Sequence, residues 1–306
     1  MLRYAIKRLF GAIPTLFVII AIAFFMMRLA PGGPFDRERQ VTAEIEANLM
    51  KVYHLDEPLW MQFGRYMGGV LRGDFGPSFR YKDFSVSELI WSGFPTSMRL
   101  GGIAVLLAAI IGLSLGTLAA LRQNSAADYS SMAVAMFGIT VPNFVVAPLL
   151  TLVFGLWLRW TPVGGWGDSW TQGILPVAAL CLPQIAAVAR LTRASMIEVL
   201  RSNYVRTARA KGLSERITIL RHALRAALLP VVSYLGPAAA AVITGSIVIE
   251  QIFSIPGIGR YFVQAALNRD YTLVMGVTIL YGTILILFNL LVDLLYGVLD
   301  PKVRYD

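Results

Sequence analysis

Two histidines, His54 and His222, and one cysteine, Cys181, are all the imidazole and thiol this 306-residue sequence carries. Cys181 sits in an apolar run, so no internal disulfide can form, and metal sites of the usual His and Cys kind are not expected. No Ser/His/Asp or Cys/His constellation can be made out, so no catalytic residue is assigned. There is no G-x-x-x-x-G-K-[ST] run, and Lys211-Gly212 alone does not cradle nucleotide phosphates; no cofactor is expected on this chain. Two features remain. Asp293 stands in an apolar stretch with Asn289 one turn before it on the same helix face, a pair of intramembrane polar groups of the kind that faces a bundle or cavity. The run from Arg201 to Pro230, RSNYVRTARAKGLSERITILRHALRAALLP, carries Arg201, Arg206, Arg209, Lys211, Arg216, Arg221 and Arg225 against a lone Glu215.

The elements that must position these groups follow from composition. With 57% apolar residues, 15% charged residues and a mean hydropathy of +0.65, the chain is far more apolar than a soluble domain of its length and is expected to be an integral membrane protein. The net charge of +9 does not point to nucleic acid, because the cations flank apolar spans instead of alternating with stacking aromatics.

Six uncharged runs are long enough to be helical spans: 9–27, 100–121, 130–158, 169–189, 226–249 and 271–292, the last interrupted by Asp293 and resuming to Leu299. The fold expected is all-α, with residues 1–29 forming the N-terminus and first span, 30–98 an extramembrane insertion, and 99–306 a five-helix core holding the polar segment 201–225. The first run follows a basic start but exceeds a signal-peptide core and has no A-x-A site after it, so it is kept as a permanent span. Within the insertion, amphipathic patterns cover 43–53 and 58–71; Asp56 and Glu57 ahead of Pro58 make a helix start, and GDFGPS at 73–78 supplies turn residues.

Charge sets the orientation. The short segments on the side of the termini and of residues 190–225 hold fifteen basic residues, and the short segments of the other side hold three. Lys and Arg in short loops are retained inside, so both termini and the 190–225 segment are expected in the cytoplasm. Trp157, Trp160, Trp166 and Trp170 cluster where headgroups are expected.

The third, fourth and fifth runs carry proline pairs: Pro142 and Pro148, Pro176 and Pro183, Pro230 and Pro237. Each interior proline removes a backbone bond and bends its helix, and neighbouring glycines permit close approach, which suits a gated pathway. Asn143, Ser233 and Thr244 are pathway candidates by polarity alone. For Asp293 two readings stand: a packing ion pair or hydrogen bond, with Arg190 and Arg193 as possible partners, or a proton relay. The relay is weakened because no second carboxylate is expected deep in the other spans; Glu250, at the outer end of the fifth, is read as interfacial.

In the basic stretch, Val205, Ala208, Ile217, Ile219 and Leu220 are broken at Gly212-Leu213-Ser214, a helix–turn–helix pattern in which Gly212 suits the helix end and Ser214 the next cap. Residues alone leave two partners open: anionic lipid headgroups beneath a basic helix pair, or a soluble protein.

Ala208, Gly212 and Leu224 match the register of the cytoplasmic coupling loop of ATP-binding-cassette importer permeases, E-A-A, three residues, Gly, nine residues, I-x-L-P, while Arg206, Thr207 and Arg225 depart from it. Across the whole chain, RLFGAIPTLFVI, FFMMRLAPGGPF, YHLDEPLWMQF, GDFGPSFRYKDFSVSELI, RTARAKGL, RHALRAALLPVV and EQIFSIPGIGR followed by ALNRDY resemble the peptide and nickel permease branch, most closely the first membrane subunit of bacterial oligopeptide permeases. In that branch RTARAKG is the usual loop form.

The resemblance implies a type I importer permease fold in the bacterial inner membrane, with the insertion in the periplasm. It also implies a second, homologous membrane subunit as heterodimer partner, two cytoplasmic ATPase subunits that bind ATP and Mg, and a periplasmic peptide-binding protein. Tyr204, Arg206, Ala208, Lys211, Gly212, Leu213, Ile217 and His222 are then the expected ATPase-coupling residues. Substrates within the branch include oligopeptides, dipeptides, glutathione and nickel chelates. A proton-coupled secondary transporter using Asp293 and a non-transporting scaffold are the rivals from other classes.

Overall fold

A computed structural model describes residues 2–29, 54, 56–81 and 83–299 of the chain. The amphipathic pattern at 43–53 and the cations Lys302 and Arg304 lie outside the described residues. The described chain is helical, with α1 Leu2–Leu29, α2 Leu59–Val70, α3 Val86–Leu121, α4 Ala126–Thr140, α5 Asn143–Leu150, α6 Ile174–Leu200, α7 Asn203–Ala210, α8 Leu224–Gly245, α9 Ile247–Ile252, α10 Ile258–Leu267 and α11 Tyr271–Leu299. Among the described residues, five helices are long and apolar enough to cross a membrane, and α4 with the helix after it makes a sixth if that bent pair counts as one span.

The third apolar run is therefore not one bent helix. It breaks between Thr140 and Asn143 by 104°. Val141 is extended, with φ −99° and ψ 122°, and Pro142 follows with ψ 143°. A proline pushes the residue before it out of the helical region and brings no N–H of its own, so the helix stops instead of bending. Beyond Pro148 the helix widens into a π-helical stretch, Thr151–Trp157, closed by Leu158 N–H to the Val153 carbonyl at 2.9 Å. Pro183, Pro230 and Pro237 do lie inside continuous helices. Helix α3 starts at Val86, well before the uncharged run, and α11 passes through Asp293 without a break.

The described residues within 2–9, 97–255 and 285–299 form one compact unit. Within it, α4 and α8 both pack along α6. Lipid is as apolar as a leucine side chain, so close packing, not hydrophobicity, joins membrane helices, and small residues at the contact permit it. Gly112 and Gly116, one turn apart on α3, meet α6: a Cβ on Gly112 would lie 2.7 Å from the Val188 Cβ, and one on Gly116 would lie 2.4 Å from the Ala189 carbonyl oxygen. Gly138 of α4 is as close, with a would-be Cβ 2.3 Å from the Leu182 carbonyl oxygen. Ala179, Ala186, Val188 and Ala189 are correspondingly buried on α6.

The described residues within 10–96 and 256–284 form the second unit. Here α2 packs through Phe63, Tyr66 and Met67 on Ile20 and Phe24 of α1, with the Phe24 and Phe63 rings 5.3 Å apart. Pro58 sits at the N-cap of α2, with Met61 N–H bonded to its carbonyl at 2.9 Å. GDFGPS makes the expected turns, with Gly73 and Gly76 at φ +75° and +85°. Asp270, fully buried, ties this loop to the start of α11: its carboxylate accepts from Ser78 Oγ, from the backbone N–H of Phe79 and Arg80, both at 3.2 Å, and from Leu273 N–H at 3.1 Å.

Candidate functional site

The basic segment is built on the end of α6. Ser202 takes an extended conformation with ψ 154° and accepts Arg206 N–H at 3.2 Å, which starts α7. Val205 and Ala208, three residues apart and so on one face, are both buried, and Val205 joins Ala120, Met196, Ala223 and Ala227 in a single apolar cluster. The opposite face, with Tyr204, Arg206, Thr207 and Arg209, is exposed.

The helix ends at Lys211. Gly212 N–H bonds the Arg209 carbonyl at 2.9 Å and Leu213 N–H bonds the Ala208 carbonyl at 3.3 Å. These are the two bonds of a Schellman end, which needs a left-handed residue, and Gly212 has φ +78°. A Cβ there would meet nothing within 4 Å, so the glycine answers to conformation and not to space. Gly212→Ala is accordingly expected to cost roughly 1 kcal/mol through backbone strain, without loss of contacts. Thermal unfolding of the purified chain measures this.

After the turn, Ser214 accepts Thr218 N–H at 2.9 Å through its carbonyl, but its side chain makes no capping bond. The helix expected after the turn does begin at Glu215, but it does not stop within the segment: Glu215–Ile217 runs through the π-helical Thr218–Ala223 directly into α8, and the whole stretch from Glu215 to Ile252 is one span candidate. Arg209 grips Glu215 across the turn, Nε to Oε1 at 2.7 Å.

The structure divides the coupling candidates. Ala208 faces inward, 5% exposed, whereas Tyr204, Ile217 and Leu220 are 47%, 45% and 55% exposed, with Leu213 beside them. Ala208 and Ile217 thus do not share a face. Arg206 and Lys211 lie on the exposed side and His222 is half-buried.

Asp293 pairs with Arg8, Oδ2 to Nε at 3.2 Å, and not with either cation of α6. Arg193 is held instead by Asp128: Nε to Oδ1 and Nη2 to Oδ2 are both 2.6 Å. Asn289 is exposed on α11. The three pathway candidates are not brought together. Ser233 Oγ donates to the Leu229 carbonyl at 2.8 Å and bonds the Tyr296 hydroxyl, Thr244 donates to the Ala240 carbonyl at 2.7 Å, and Asn143 opens α5 after the break. A cavity of about 720 Å³ in the same unit is lined by other residues, among them Arg99, Trp166, Trp170 and Cys181.

Sequence reasoning missed the buried carboxylates. Glu250, read as interfacial, is fully buried within the chain, its Oε1 accepting Ser97 Oγ and Ser246 Oγ at 2.6 Å each. Asp128 and Asp270 are buried too. Ser97 lies 153 residues from Glu250, so no local pattern announces that pair. Asp128 did leave a signal, the S-x-x-D of Ser125 to Asp128, a capping pattern in which Ser125 Oγ accepts Asp128 N–H at 3.4 Å.

Comparison with known proteins gives one consistent result. Residues 112–305 match the family described as binding-protein-dependent transport system inner membrane component, and residues 1–101 match the N-terminal family of the same transport systems. The oligopeptide transport system permease protein OppB of Haemophilus influenzae is 55% identical over 306 residues, all of both chains, and that of Escherichia coli K12 is 56% identical over the same extent. The dipeptide transport system permease protein DppB of Bacillus subtilis is 46% identical over 304 residues, covering 99% of this chain and 98% of that one. Among solved structures, the inward-facing MetNI methionine ABC transporter aligns with a TM-score of 0.56 at 14% identity, over 69% of this chain and 96% of that chain, a likeness of fold.

Proposed function

The chain belongs to the binding-protein-dependent transport system inner membrane component family, the membrane subunits of ATP-binding-cassette importers, and from that premise we propose that it forms half of an oligopeptide translocation pathway. In this reading it pairs with a second, homologous membrane subunit, receives peptide from a periplasmic binding protein and is driven by two cytoplasmic ATPase subunits. ATP and Mg are bound by those ATPases, and this chain catalyses nothing itself. In this reading both termini and the α7 segment lie on the cytoplasmic side of a bacterial inner membrane, which the bias of basic residues supports.

The observation that carries the coupling role is the division of the α7 segment. A helix that lies on a bilayer must offer its apolar face to lipid, but Val205 is spent on the chain's own cluster and Ala208 is buried as well. What stays outside is Tyr204, Leu213, Ile217 and Leu220 among Arg206, Lys211, Arg216 and Arg221, an apolar patch with a basic rim, which is how protein interfaces are composed. ATPase closure would push on this patch and move α7 as a rigid piece, and the continuous helix from Glu215 onward would carry the displacement into the span. The half-buried His222 sits where that helix leaves the segment.

A proton-coupled carrier loses its main support, since Asp293 already has the Arg8 guanidinium beside it. Ile217→Asp tests the proposal: a charge at the centre of the patch should lower ATPase co-purification and ATP-dependent uptake of a labelled oligopeptide about tenfold. Unchanged ATPase binding and uptake would refute docking, and uptake driven by a proton gradient without ATPases would refute the importer reading.

A further inference from the structure

The second unit holds a cavity of about 520 Å³ that the transport cycle described above does not use. It lies at the end of the first span remote from the N-terminus, and its polar lining includes Arg28, Arg65, Tyr66 and Asp74, with the rings of Phe24 and Phe75 beside them. Most of these groups are already engaged. Arg65 donates to Glu57 Oε1 at 2.6 Å, His54 approaches the same oxygen at 3.3 Å, and Asp74 Oδ1 accepts Gly76 N–H at 2.9 Å. Two donors are not. Arg28 has the Phe24 ring 5.3 Å from its guanidinium carbon and, among the described residues, no carboxylate within ion-pair distance. The Tyr66 hydroxyl is buried with no hydrogen-bond partner among the described residues. Burial also raises the Tyr66 pKa, so its hydroxyl stays a neutral donor.

A cation and a buried O–H lining one cavity call for an anionic acceptor. Location decides which. Arg28 stands in the last turn of an apolar helix, and Ile13, Phe17, Phe24 and Arg28 share one face of it at spacings of four, seven and four residues. Ile13 and Phe17 are exposed on that face, Ile20 and Phe24, between them and Arg28, are buried, and Trp60 of α2 is exposed nearby in sequence to the lining, as interfacial anchors are. We propose that this cavity is a phospholipid site, in which Arg28 and Tyr66 take the headgroup phosphate and the exposed Ile13 and Phe17 take an acyl chain.

The test uses the full-length chain in its assembled transporter, stripped of lipid and examined by native mass spectrometry with phosphatidylglycerol, with diacylglycerol as the phosphate-free control and with inorganic phosphate as competitor. The wild type is expected to retain phosphatidylglycerol over diacylglycerol. Arg28→Gln should weaken that retention about tenfold, and Tyr66→Phe, which removes one oxygen and leaves the packing, by several-fold. Equal retention of the two lipids would overturn the proposal, as would wild-type retention in Tyr66→Phe together with a folded Arg28→Gln. Should Arg28→Gln fail to fold, Tyr66→Phe alone decides. Displacement of the lipid by millimolar inorganic phosphate would show that the site takes free anions, and would overturn its assignment to lipid.

Discussion

Asp128→Ala is expected to destabilise the chain by on the order of 3 kcal/mol, the low end of the range for breaking a buried ion pair, because Arg193 keeps partial contact with solvent at 28% exposure. Asp128 is 1% exposed and uses both oxygens on the guanidinium, while Oδ2 also accepts Asn124 N–H at 2.9 Å ahead of α4. Removing it leaves a guanidinium without its carboxylate, an unbonded backbone donor and a helix start without its acidic residue. Asp128→Asn should lose less, since shape and one acceptor survive. Arg193→Lys should not restore the wild type, because an ammonium cannot make the two parallel bonds. A double-mutant cycle on Asp128→Ala and Arg193→Ala, read by thermal unfolding of the detergent-solubilised transporter, isolates the pair; a coupling energy near zero would contradict its structural role.

Gly116→Leu is the second large effect. A single Cβ at that position would already lie 2.4 Å from the Ala189 carbonyl oxygen, 2.6 Å from the Thr192 Cβ and 3.1 Å from Arg193 N, and two of these are backbone atoms that cannot rotate away. Helices α3 and α6 would have to separate, at a cost of roughly 3 kcal/mol or more. Gly116→Ala should show a graded, smaller loss. The backbone that Gly116 touches also carries Arg193, so Gly116→Leu and Asp128→Ala should be non-additive. Equal thermal stability of Gly116→Leu and the wild type would mean that α3 and α6 do not meet this closely.

These two sites show where sequence reading stopped. The apolar runs announced membrane helices because their signal is local and repeated over some twenty residues. The turn at Gly212 was legible for the same reason, since a left-handed helix end is coded by one residue. Directions and partners were not local. Val141-Pro142 signalled a lost backbone bond, but nothing in those residues states that the chain turns by 104°. An intramembrane Asp293 calls for a partner, but its partner Arg8 lies at the far end of the sequence, much farther along the chain than the cations of α6.

Glu250 illustrates the same limit from the other side. A charge at the end of an apolar run suggests the membrane surface, and Ser97, brought in from α3, joins Ser246 in making its burial tolerable. In the α7 segment the apolar residues were visible, but periodicity cannot say which of them the chain keeps for itself. Val205 and Ala208 went inward and Ile217 and Leu220 did not: Ala120, Met196, Ala223 and Ala227 supply a surface for Val205, and Ala208 is buried too.

The outward set is the centre of this account, and site-specific cross-linking tests it most directly. Cys181 is the sole cysteine, so Cys181→Ser gives a background into which one thiol is placed at Ile217 or at Ala208 and fitted with a photoreactive maleimide in the assembled transporter. Ile217→Cys is expected to give adducts with an ATPase subunit, and Ala208→Cys, 5% exposed in the wild-type chain, is expected to give none. Adducts from Ile217→Cys with lipid alone, or equal ATPase adducts from both positions, would contradict the assignment of this face to ATPase docking.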